Sequence, residues 1–255
     1  MSVRPKKHLG QHFLTDDNIA RKIVGSLSNT DRVLEVGAGT GILTKHLLNI
    51  CRILKIVEVD SESVNYLIEN YPELAQDINH ADFLKADLSG IYPEDFAVIG
   101  NFPYNISSQI FFRIIQFRNI IPEVVCMIQK EVAERLAAPP GNKSYGILTV
   151  ILGAYYNIDY LFTVNEKVFN PPPKVKSAVV KLTRKANFTL YCDEKLFMKV
   201  VKTTFNQRRK TIRNSIKPLL NNETDSTAEI FSKRPEQLGV EEFVKLTNLV
   251  SVIGL

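Results

Sequence analysis

The sequence predicts a doubly wound α/β domain followed by a small all-helical domain. Up to residue 184, short apolar runs typical of buried strands alternate with helical patterns, as in a doubly wound sheet. A glycine-rich turn, 37–41, separates the first run from a helical pattern and would let the backbone approach a ligand closely. Beyond Arg184 strong strand signals end, so we predict domains at residues 1–184 and 185–255.

The composition restricts the classes of function. The chain has 255 residues, of which 45% are hydrophobic and 23% charged, as in an ordinary soluble globular protein. Its net charge of +5 is compatible with a polyanionic partner. Cys51, Cys126 and Cys192 form no metal-ligand pattern with the histidines, so we expect no metal and a reducing, cytoplasmic location. The longest apolar stretch, 145–158, is too short to span a membrane, so we expect no membrane partner.

Seven apolar runs have the length and the flanking turn residues of strands. They are residues 33–36, 53–57, 78–81, 96–99, 124–129, 161–164 and 177–182. Helical patterns lie between these runs and before the first of them. Thr15 or Asp16 can cap the first helix, and Asp60 or Ser61 can cap the helix that follows the second strand. The apolar pattern of residues 145–156 predicts one buried helix.

Polar side chains follow three of the predicted strands. Glu58 closes the second strand and lies 21 positions after Gly37, the spacing at which an acid accepts from ribose hydroxyls. Asp82 ends the third strand, where an acid can accept from an adenine amino group. Asn101 ends the fourth. Because parallel strands end at one edge of a sheet, we expect these residues to form one ligand site with the glycine turn, including Gly39.

The segment 101–105, Asn-Phe-Pro-Tyr-Asn, directly follows the fourth strand. Pro103 fixes its own φ and pushes Phe102 into an extended conformation. Asn101 offers one carbonyl acceptor and two amide donors, and Tyr104 offers an aromatic face. These residues predict a rigid corner that can hold a flat ring and hydrogen-bond an amine on its edge.

Two basic segments are candidates for contact with nucleic acid. One is the N-terminal arm, 4–8, although most basic arms are solvated chain ends. The other, 199–217, holds seven Lys or Arg and no acid. Such a segment would repel itself without an anion opposite it, so we predict that it contacts phosphates.

The spacing within this second segment predicts a single amphipathic helix. Arg209, Arg213 and Lys217 recur every four residues and would share one helical face, with Pro218 ending the helix. The opposite, apolar stripe would consist of Phe205, Ile212 and Ile216. Residues 235–255 predict a further amphipathic helix of the small domain.

Six short motifs give a more specific signal. They are residues 10–14 (GQHFL), 35–41 (EVGAGTG), 100–107 (GNFPYNIS), 129–132 (QKEV), 169–175 (FNPPPKV) and 205–215 (FNQRRKTIRNS). Together they closely resemble the bacterial small-subunit ribosomal RNA adenine dimethyltransferases, over essentially the whole chain. The departures from the frequent pattern of that family are small: His12 replaces Asn, Ala38 replaces Pro and Phe102 replaces Leu.

The resemblance implies a seven-stranded class I methyltransferase sheet, S-adenosylmethionine as the cofactor and no metal. It implies that two methyl groups are placed on each of two adjacent adenosines near the 3′ end of small-subunit rRNA. The substrate would be the 30S particle or its precursor, and the enzyme a monomer with a role in small-subunit biogenesis. The implied cofactor contacts are His12, Leu14, Gly37, Gly39, Glu58, Asp82 and Asn101.

We hypothesise how these residues would act on the adenine amine. The side-chain carbonyl of Asn101 and the backbone carbonyl of Pro103 would accept hydrogen bonds from the amine and aim its lone pair. Tyr104 would stack on the flipped-out base, with Phe169 as a possible second platform. The phosphates would be held by Arg208, Arg209, Lys210, Arg213 and Lys217.

Three other functions stay open at this point. A large-subunit rRNA adenine methyltransferase of the antibiotic-resistance type shares the Asn-x-Pro-Tyr motif, but residues 205–215 favour the small-subunit branch. A non-catalytic RNA-binding assembly factor on the same fold is disfavoured by four intact site residues: Glu58, Asp82, Asn101 and Tyr104. An NAD-dependent oxidoreductase would explain neither the basic segments nor residues 101–104.

Overall fold

The computed structural model describes residues 3–187, 189–220 and 227–251. The strands are Phe13–Leu14 (β1), Arg32–Val36 (β2), Ile53–Glu58 (β3), Ile78–His80 (β4), Ala97–Asn101 (β5), Glu123–Gln129 (β6), Tyr156–Val164 (β7), Phe169–Asn170 (β8) and Ser177–Arg184 (β9). The α-helices are Asp17–Val24 (α1), Thr44–Leu47 (α2), Ser61–Asn70 (α3), Ser107–Gln116 (α4), Lys130–Leu136 (α5), Ile147–Gly153 (α6), Glu194–Asn206 (α7), Ile212–Ser215 (α8) and Val240–Ser251 (α9).

Seven strands form one sheet in the order β4-β3-β2-β5-β6-β9-β7. The first five of these are mutually parallel, and β9 is antiparallel to β6. The chain order reverses between β2 and β5, which is the point where doubly wound sheets open a ligand crevice at their carboxyl ends. The predicted doubly wound α/β class is therefore confirmed.

The central strands β2, β5 and β6 are buried except for one residue at an end of each. In β2, Val33 and Leu34 are fully buried, and the apolar residues of β5 and β6 are buried as well. Such continuous apolar runs are expected where helices cover both faces of a parallel sheet. Of the two caps predicted for α1, Asp16 is the one used, because its side chain accepts the backbone N–H of Ile19 at 3.0 Å.

A second, two-stranded sheet fixes the N-terminal arm. Phe13 of β1 pairs with Asn170 of β8, and Leu14 pairs with Phe169, in antiparallel register. The backbone N–H of Thr15 donates to the carbonyl of Val168 at 2.8 Å. This pairing joins the beginning of the chain to the segment that follows β7.

The chain divides into two compact units. One runs to Ala133 and includes Asn157–Arg184, and it carries the seven-stranded sheet. The other contains Glu134–Tyr156 together with the described residues from Lys185 onward. These units differ from the domain ranges predicted from the sequence by residues 134–156, whose helix α6 packs against α7 and α9. An apolar run shows that a helix is buried, but not which core it joins.

The prediction of one helix over residues 145–156 was wrong. Helix α6 begins only at Ile147, because Gly146 before it is extended with φ −157° and ψ −173°. At the other end, Tyr156 already belongs to β7, which starts earlier than the predicted strand. The helix found over 240–251 also begins later than predicted, after a short 3₁₀ turn at Pro235–Gln237, and residues 252–255 lie outside the described residues.

The prediction of one helix over residues 199–217 was wrong as well. Helix α7 ends at Asn206, and Gln207 leaves the helical region with φ −120° and ψ 40°. Thr211 is extended, and the N–H of Ile212 donates to the carbonyl of Lys233 at 2.8 Å instead of continuing α7. Because the chain is interrupted there, the residues Arg209, Arg213 and Lys217 do not share one helical face. Pro218 lies inside a 3₁₀ turn, Lys217–Leu219.

Candidate active site

A cleft of about 740 Å³ opens at the carboxyl ends of β2, β3 and β5, within the unit that carries the sheet. Its wall is formed by residues 9–13 of the N-terminal arm, the glycine turn, the ends of β3 and β4, and residues 101–104. His12, Gly37, Gly39, Glu58, Asp82, Asn101, Pro103 and Tyr104 all line it. The structure thus brings together most of the site residues named from the sequence.

The glycine turn provides a backbone surface without side chains. Gly37, Gly39 and Gly41 have positive φ angles of 71°, 57° and 75°. A Cβ atom built on Gly37 would meet nothing within 4 Å, so this position faces open space. A Cβ on Gly39 would lie 2.8 Å from the ring of Phe13, so a side chain there would displace that ring. A flat or elongated ligand can therefore lie directly against the backbone of this turn.

Glu58 is held rigidly at the end of β3. Its carboxylate accepts the backbone N–H groups of Gly39 at 2.9 Å, Val59 at 2.8 Å and Asp60 at 2.9 Å. Burial raises the pKa of Glu58, although these three bonds lower it in part. Since a carboxylate has about four acceptor positions, about one is left for a ligand hydroxyl.

Asp82 follows β4 and is more open than Glu58. One carboxylate oxygen accepts the backbone N–H of Leu84 at 2.9 Å and so caps the turn after β4. The other lies 3.8 Å from the ammonium of Lys85, and the side chain is 36% exposed. Asp82 therefore stands at the rim of the cleft with acceptor capacity left over.

Asn101 has a defined orientation. Its Nδ2 atom lies 2.9 Å from the backbone carbonyl oxygen of His12. A carbonyl oxygen only accepts, so the amide NH₂ must face His12 and the side-chain oxygen of Asn101 is the remaining acceptor. The backbone carbonyl of Pro103 accepts the N–H of Ile106 at 3.2 Å, which leaves it one further lone pair.

Tyr104 contributes an anchored ring to the wall of the cleft. Its hydroxyl lies 2.5 Å from the Oγ atom of Ser177, the first residue of β9. Burial raises the pKa of the Tyr104 phenol, and the bond with Ser177 offsets this only in part. The ring stacks against that of His12 with centroids 5.6 Å apart and planes inclined by 24°.

His12 connects three segments of the chain, a role that the sequence did not reveal. Its backbone carbonyl binds Asn101, its ring packs on Tyr104, and its Nδ1 atom lies 2.7 Å from the carbonyl oxygen of Pro171. Because that oxygen can only accept, Nδ1 carries the proton. Pro171 is 159 residues away in sequence, so no local pattern could have indicated this contact.

Leu14 and Phe169 do not line the main cleft. They pair with each other across β1 and β8 and are only 3% and 4% exposed. Leu14 borders a smaller cavity of about 320 Å³, which shares Gly37, Gly39 and Asn101 with the cleft. The ring of Phe169 lies in the apolar core.

Glu35 is a buried acid that sequence reasoning passed over. It lies in β2, is 1% exposed and accepts the hydroxyl of Thr44 at 2.7 Å. Burial raises its pKa to about 8, and the neighbouring charge of Glu58 acts in the same direction. The sequence does contain a signal for a buried acid, because Glu35 interrupts the otherwise apolar run 33–36.

The three cysteines are not activated as nucleophiles. Burial raises the pKa of Cys51 to about 12 and also raises the pKa of Cys126 and Cys192. In the part of the chain that the structure describes, no group of three or more His, Cys, Asp and Glu residues could hold a metal ion. Among the same residues, no helix combines the length and the apolar character needed to cross a membrane.

The basic residues of the second unit differ in their surroundings. Arg208 is partly buried, where it donates to the carbonyl of Asn142 at 3.3 Å and lies 3.6 Å from the carboxylate of Glu236. The other four residues that were predicted to hold phosphates are exposed: Arg209, Lys210, Arg213 and Lys217. Arg208 therefore has a structural role within its own unit, and the other four present cationic side chains to solvent.

Comparison with known proteins gives a consistent result. The family model described as ribosomal RNA adenine dimethylase matches residues 3–249. The ribosomal RNA small subunit methyltransferase A of Parabacteroides distasonis is 58% identical over 248 residues, which are 96% of this chain and 93% of that protein. A dimethyladenosine transferase from Plasmodium falciparum has a similar crystal structure, with a TM-score of 0.79 and 26% identity over 92% of this chain and 96% of that one. The crystal structure of the 23S rRNA methyltransferase ErmE is also similar, with a TM-score of 0.67 and 25% identity over 92% of this chain and 99% of that one.

Proposed function

The chain belongs to the family of ribosomal RNA adenine dimethylases, and we propose that it methylates small-subunit rRNA. In this proposal, S-adenosylmethionine donates methyl groups to the exocyclic amines of two adjacent adenosines near the 3′ end of that RNA. A relative that is 58% identical and named a small subunit methyltransferase favours this substrate over large-subunit RNA. The 30S particle or its precursor would be the form of the substrate, and a cytoplasmic monomer the form of the enzyme.

The observation that carries the proposal is the common cleft of Glu58, Asp82, Asn101 and Tyr104. Two acids at successive strand ends match the ribose and the adenine of an adenosine-containing cofactor. An amide acceptor and an aromatic ring at the next strand end match the amine and the face of a substrate base. Both sets lie in one cleft, as a transfer between two such molecules requires.

The residues present fit S-adenosylmethionine. Gly37 leaves open space along the cleft, and Glu58 retains acceptor capacity for a ribose hydroxyl. Asp82 would accept from the adenine amino group. Residues of the arm, including His12, would cover the cofactor, and Leu14 would contact it through the smaller cavity.

The adenine amine is a poor nucleophile because its lone pair is delocalised into the ring. S-adenosylmethionine supplies a methyl group that is already activated by the sulfonium charge. The task of the protein is therefore alignment, which is worth up to ~7–11 kcal/mol in ideal intramolecular reactions. The side-chain oxygen of Asn101 and the free lone pair of the Pro103 carbonyl would accept from the amine and aim its lone pair. No dedicated base is required, since the methylated amine is acidic enough to lose its proton to water.

Tyr104 would hold the flipped-out base by stacking, which is worth ~1–3 kcal/mol per base. Its ring is fixed at the hydroxyl by Ser177 and already lies along the cleft. A second platform formed by Phe169 would require that side chain, which is 4% exposed, to leave the core when RNA binds. The exposed residues Arg209, Lys210, Arg213 and Lys217 would contact phosphates, whereas Arg208 would support them through its own packing.

The test is a methyl-transfer assay with isotopically labelled S-adenosylmethionine. Small subunits without methylated adenosines, mature large subunits and naked RNA are offered in parallel, and the product nucleosides are mapped by mass spectrometry. We expect N6,N6-dimethyladenosine in the small-subunit RNA only. Labelling of large-subunit RNA would support the antibiotic-resistance type of enzyme instead, and no labelling despite bound substrate would support a non-catalytic assembly factor.

A further inference from the structure

We name residues 4–14 the strap, since this segment contributes to the wall of the cleft. Residues 9–13 of the strap line the cleft. At its far end the strap is fixed by the pairing of β1 with β8. At Gly10 it lies so close to Asn105 that an added Cβ would be 2.6 Å from the side-chain oxygen of that residue. The near end of the strap, residues 6–11, is held by a different set of contacts.

That near end is held by one buried carboxylate. The side chain of Asp60 is 1% exposed and forms an ion pair with the ammonium of Lys6. It also accepts the side-chain amide of Gln11 at 3.2 Å. Gln11 in turn accepts the backbone N–H of Lys6 at 2.8 Å, which closes the turn of the strap on itself. Glu62, 3.2 Å from the same ammonium, adds a second, more exposed acid.

Asp60 also belongs to the frame of the proposed cofactor site. Its backbone N–H donates to the carboxylate of Glu58 at 2.9 Å. Its side chain caps α3 by accepting from the N–H of Glu62 and from the hydroxyl of Ser63. The residue that fixes the strap is therefore also one of the three residues whose backbone N–H groups orient Glu58 in the cleft.

The charges on this contact are well defined. Burial opposes ionisation of Asp60, but the bonds from Lys6, Gln11 and Ser63 outweigh it and lower the pKa of the carboxyl. The bond to Asp60 is the main reason why the pKa of Lys6 is raised. Near neutral pH the contact is thus an ion pair with one buried partner, and removing one charge from such a pair is costly.

We propose that Asp60 is a positioning residue that latches the strap over the cleft, so that release of the cofactor requires the Lys6–Asp60 and Gln11–Asp60 contacts to open. This inference rests on the proposed function, because it takes the cleft to be the site of S-adenosylmethionine. It makes cofactor dissociation dependent on an ion pair whose partners do not line the cleft. Salt should therefore accelerate dissociation, since the side chain of Lys6 is 26% exposed and its charge is open to screening.

The experiment uses the full chain with the substitutions K6Q and D60N, alone and combined, and K7Q as the matched control. Lys7 lies next to Lys6 in the same arm, carries the same charge and is exposed. Asn at position 60 keeps an oxygen for the cap of α3, which protects the fold. The dissociation rate of S-adenosylmethionine is measured by stopped-flow displacement at low and high salt. Hydrogen exchange of the Lys6, Leu9 and Gly10 amides is followed in the cofactor-free protein.

We expect K6Q and D60N to accelerate dissociation about 10-fold each, the factor that corresponds to a difference of ~1.4 kcal/mol. The double substitution should add little, because both single changes break the same contact. K6Q should also reduce the salt dependence and accelerate exchange of the strap amides, while K7Q resembles the wild type.

Other outcomes separate the latch from the proposed function. Equal dissociation rates in wild type, K6Q and D60N would overturn the latch and leave the cofactor site intact. Additive effects of the two substitutions would also overturn it, because independent contacts would then be responsible. If the wild type bound no S-adenosylmethionine at all, the proposed function and the coupling to the cofactor would fail together. Unchanged strap exchange in K6Q would show that Asp60 does not hold the strap.

Discussion

The side-chain amide of Asn101 donates to the backbone carbonyl of His12 at 2.9 Å, so the N-terminal arm determines which way this amide points. The oxygen of Asn101 is left as the acceptor in the cleft. Although Asn101 ends a central strand, its orientation depends on a segment 89 residues away. The proposed handling of the amine follows from this contact.

The substitution N101A should abolish that acceptor. We expect kcat for methyl transfer to fall by about 10²–10³, as for the loss of one preorganised hydrogen-bonding group in other active sites. The dissociation constant of S-adenosylmethionine, measured by calorimetry, should change only a few-fold, since Glu58 and Asp82 stay in place. N119A, a change at an exposed position of the same unit, serves as the control. Wild-type turnover by N101A would contradict the role assigned to this oxygen.

Tyr104 permits a test that separates its ring from its hydroxyl. Y104F keeps the stacking surface and loses only the bond to Ser177, so methyl transfer should fall by less than about 10-fold. Y104A removes the ring, and kcat/KM for RNA should fall by about 10- to 100-fold, which corresponds to ~1–3 kcal/mol of stacking. Steady-state kinetics with small subunits measure both. Equal losses in the two variants would assign the role of Tyr104 to its hydroxyl.

Glu35 should make stability depend on pH. Its pKa is raised from the usual 4.5 to about 8 in the folded chain, so the folded chain holds a proton that the unfolded chain releases between these values. The stabilisation is therefore complete below about pH 4.5 and is lost as the pH rises through about 8. Within this window the free energy of unfolding should fall by up to ~1.4 kcal/mol per pH unit.

The variant E35Q tests this dependence, because Gln cannot ionise and still offers an oxygen to Thr44. Urea unfolding at pH 6, 7 and 8 should give a smaller decrease in stability for E35Q than for the wild type. Glu73, which is exposed, supplies the matched control E73Q, whose profile should follow the wild type. Parallel profiles for E35Q and the wild type would show that Glu35 does not carry the proton in question.

Arg208 and Lys210 should differ although both belong to the basic motif. K210Q should weaken RNA binding and reduce the slope of log K against log salt by about 0.7–0.9, one phosphate contact, without a change in melting temperature. R208Q should lower the melting temperature, because it leaves Glu236 without its cation. Filter binding over a salt series and thermal unfolding measure the two effects. A stable R208Q with the same loss of salt dependence as K210Q would place Arg208 on the RNA instead.

Local patterns were sufficient for the elements that position the cleft. The apolar run 96–99 and the turn residues after it correctly indicated that Asn101 ends a buried strand. The spacing from Gly37 to Glu58 likewise reflects one βαβ unit, in which both residues reach the same edge of the sheet. These features depend on residues that are close in sequence, so hydrophobic periodicity and turn residues are sufficient to predict them.

Contacts between distant segments were not predictable in the same way. Phe169 directly precedes the stiff proline segment 170–173, yet its ring enters the core because β8 pairs with β1. The four-residue spacing of Arg209 and Arg213 suggested a helical face, but α7 ends at Asn206, before both residues, and the N–H of Ile212 donates to the carbonyl of Lys233 instead of continuing that helix. In both cases a tertiary hydrogen bond outweighs the local preference.

The supports of Tyr104 and His12 have a consequence for synthesis of the chain. Every residue that lines the cleft lies at or before Ile110, yet Ser177 and Pro171 hold these two rings. A nascent chain that has emerged only as far as β7 would thus contain every cleft residue, but the rings of Tyr104 and His12 would lack these two supports. Competence for substrate should appear only after the segment that follows β7 has emerged and docked.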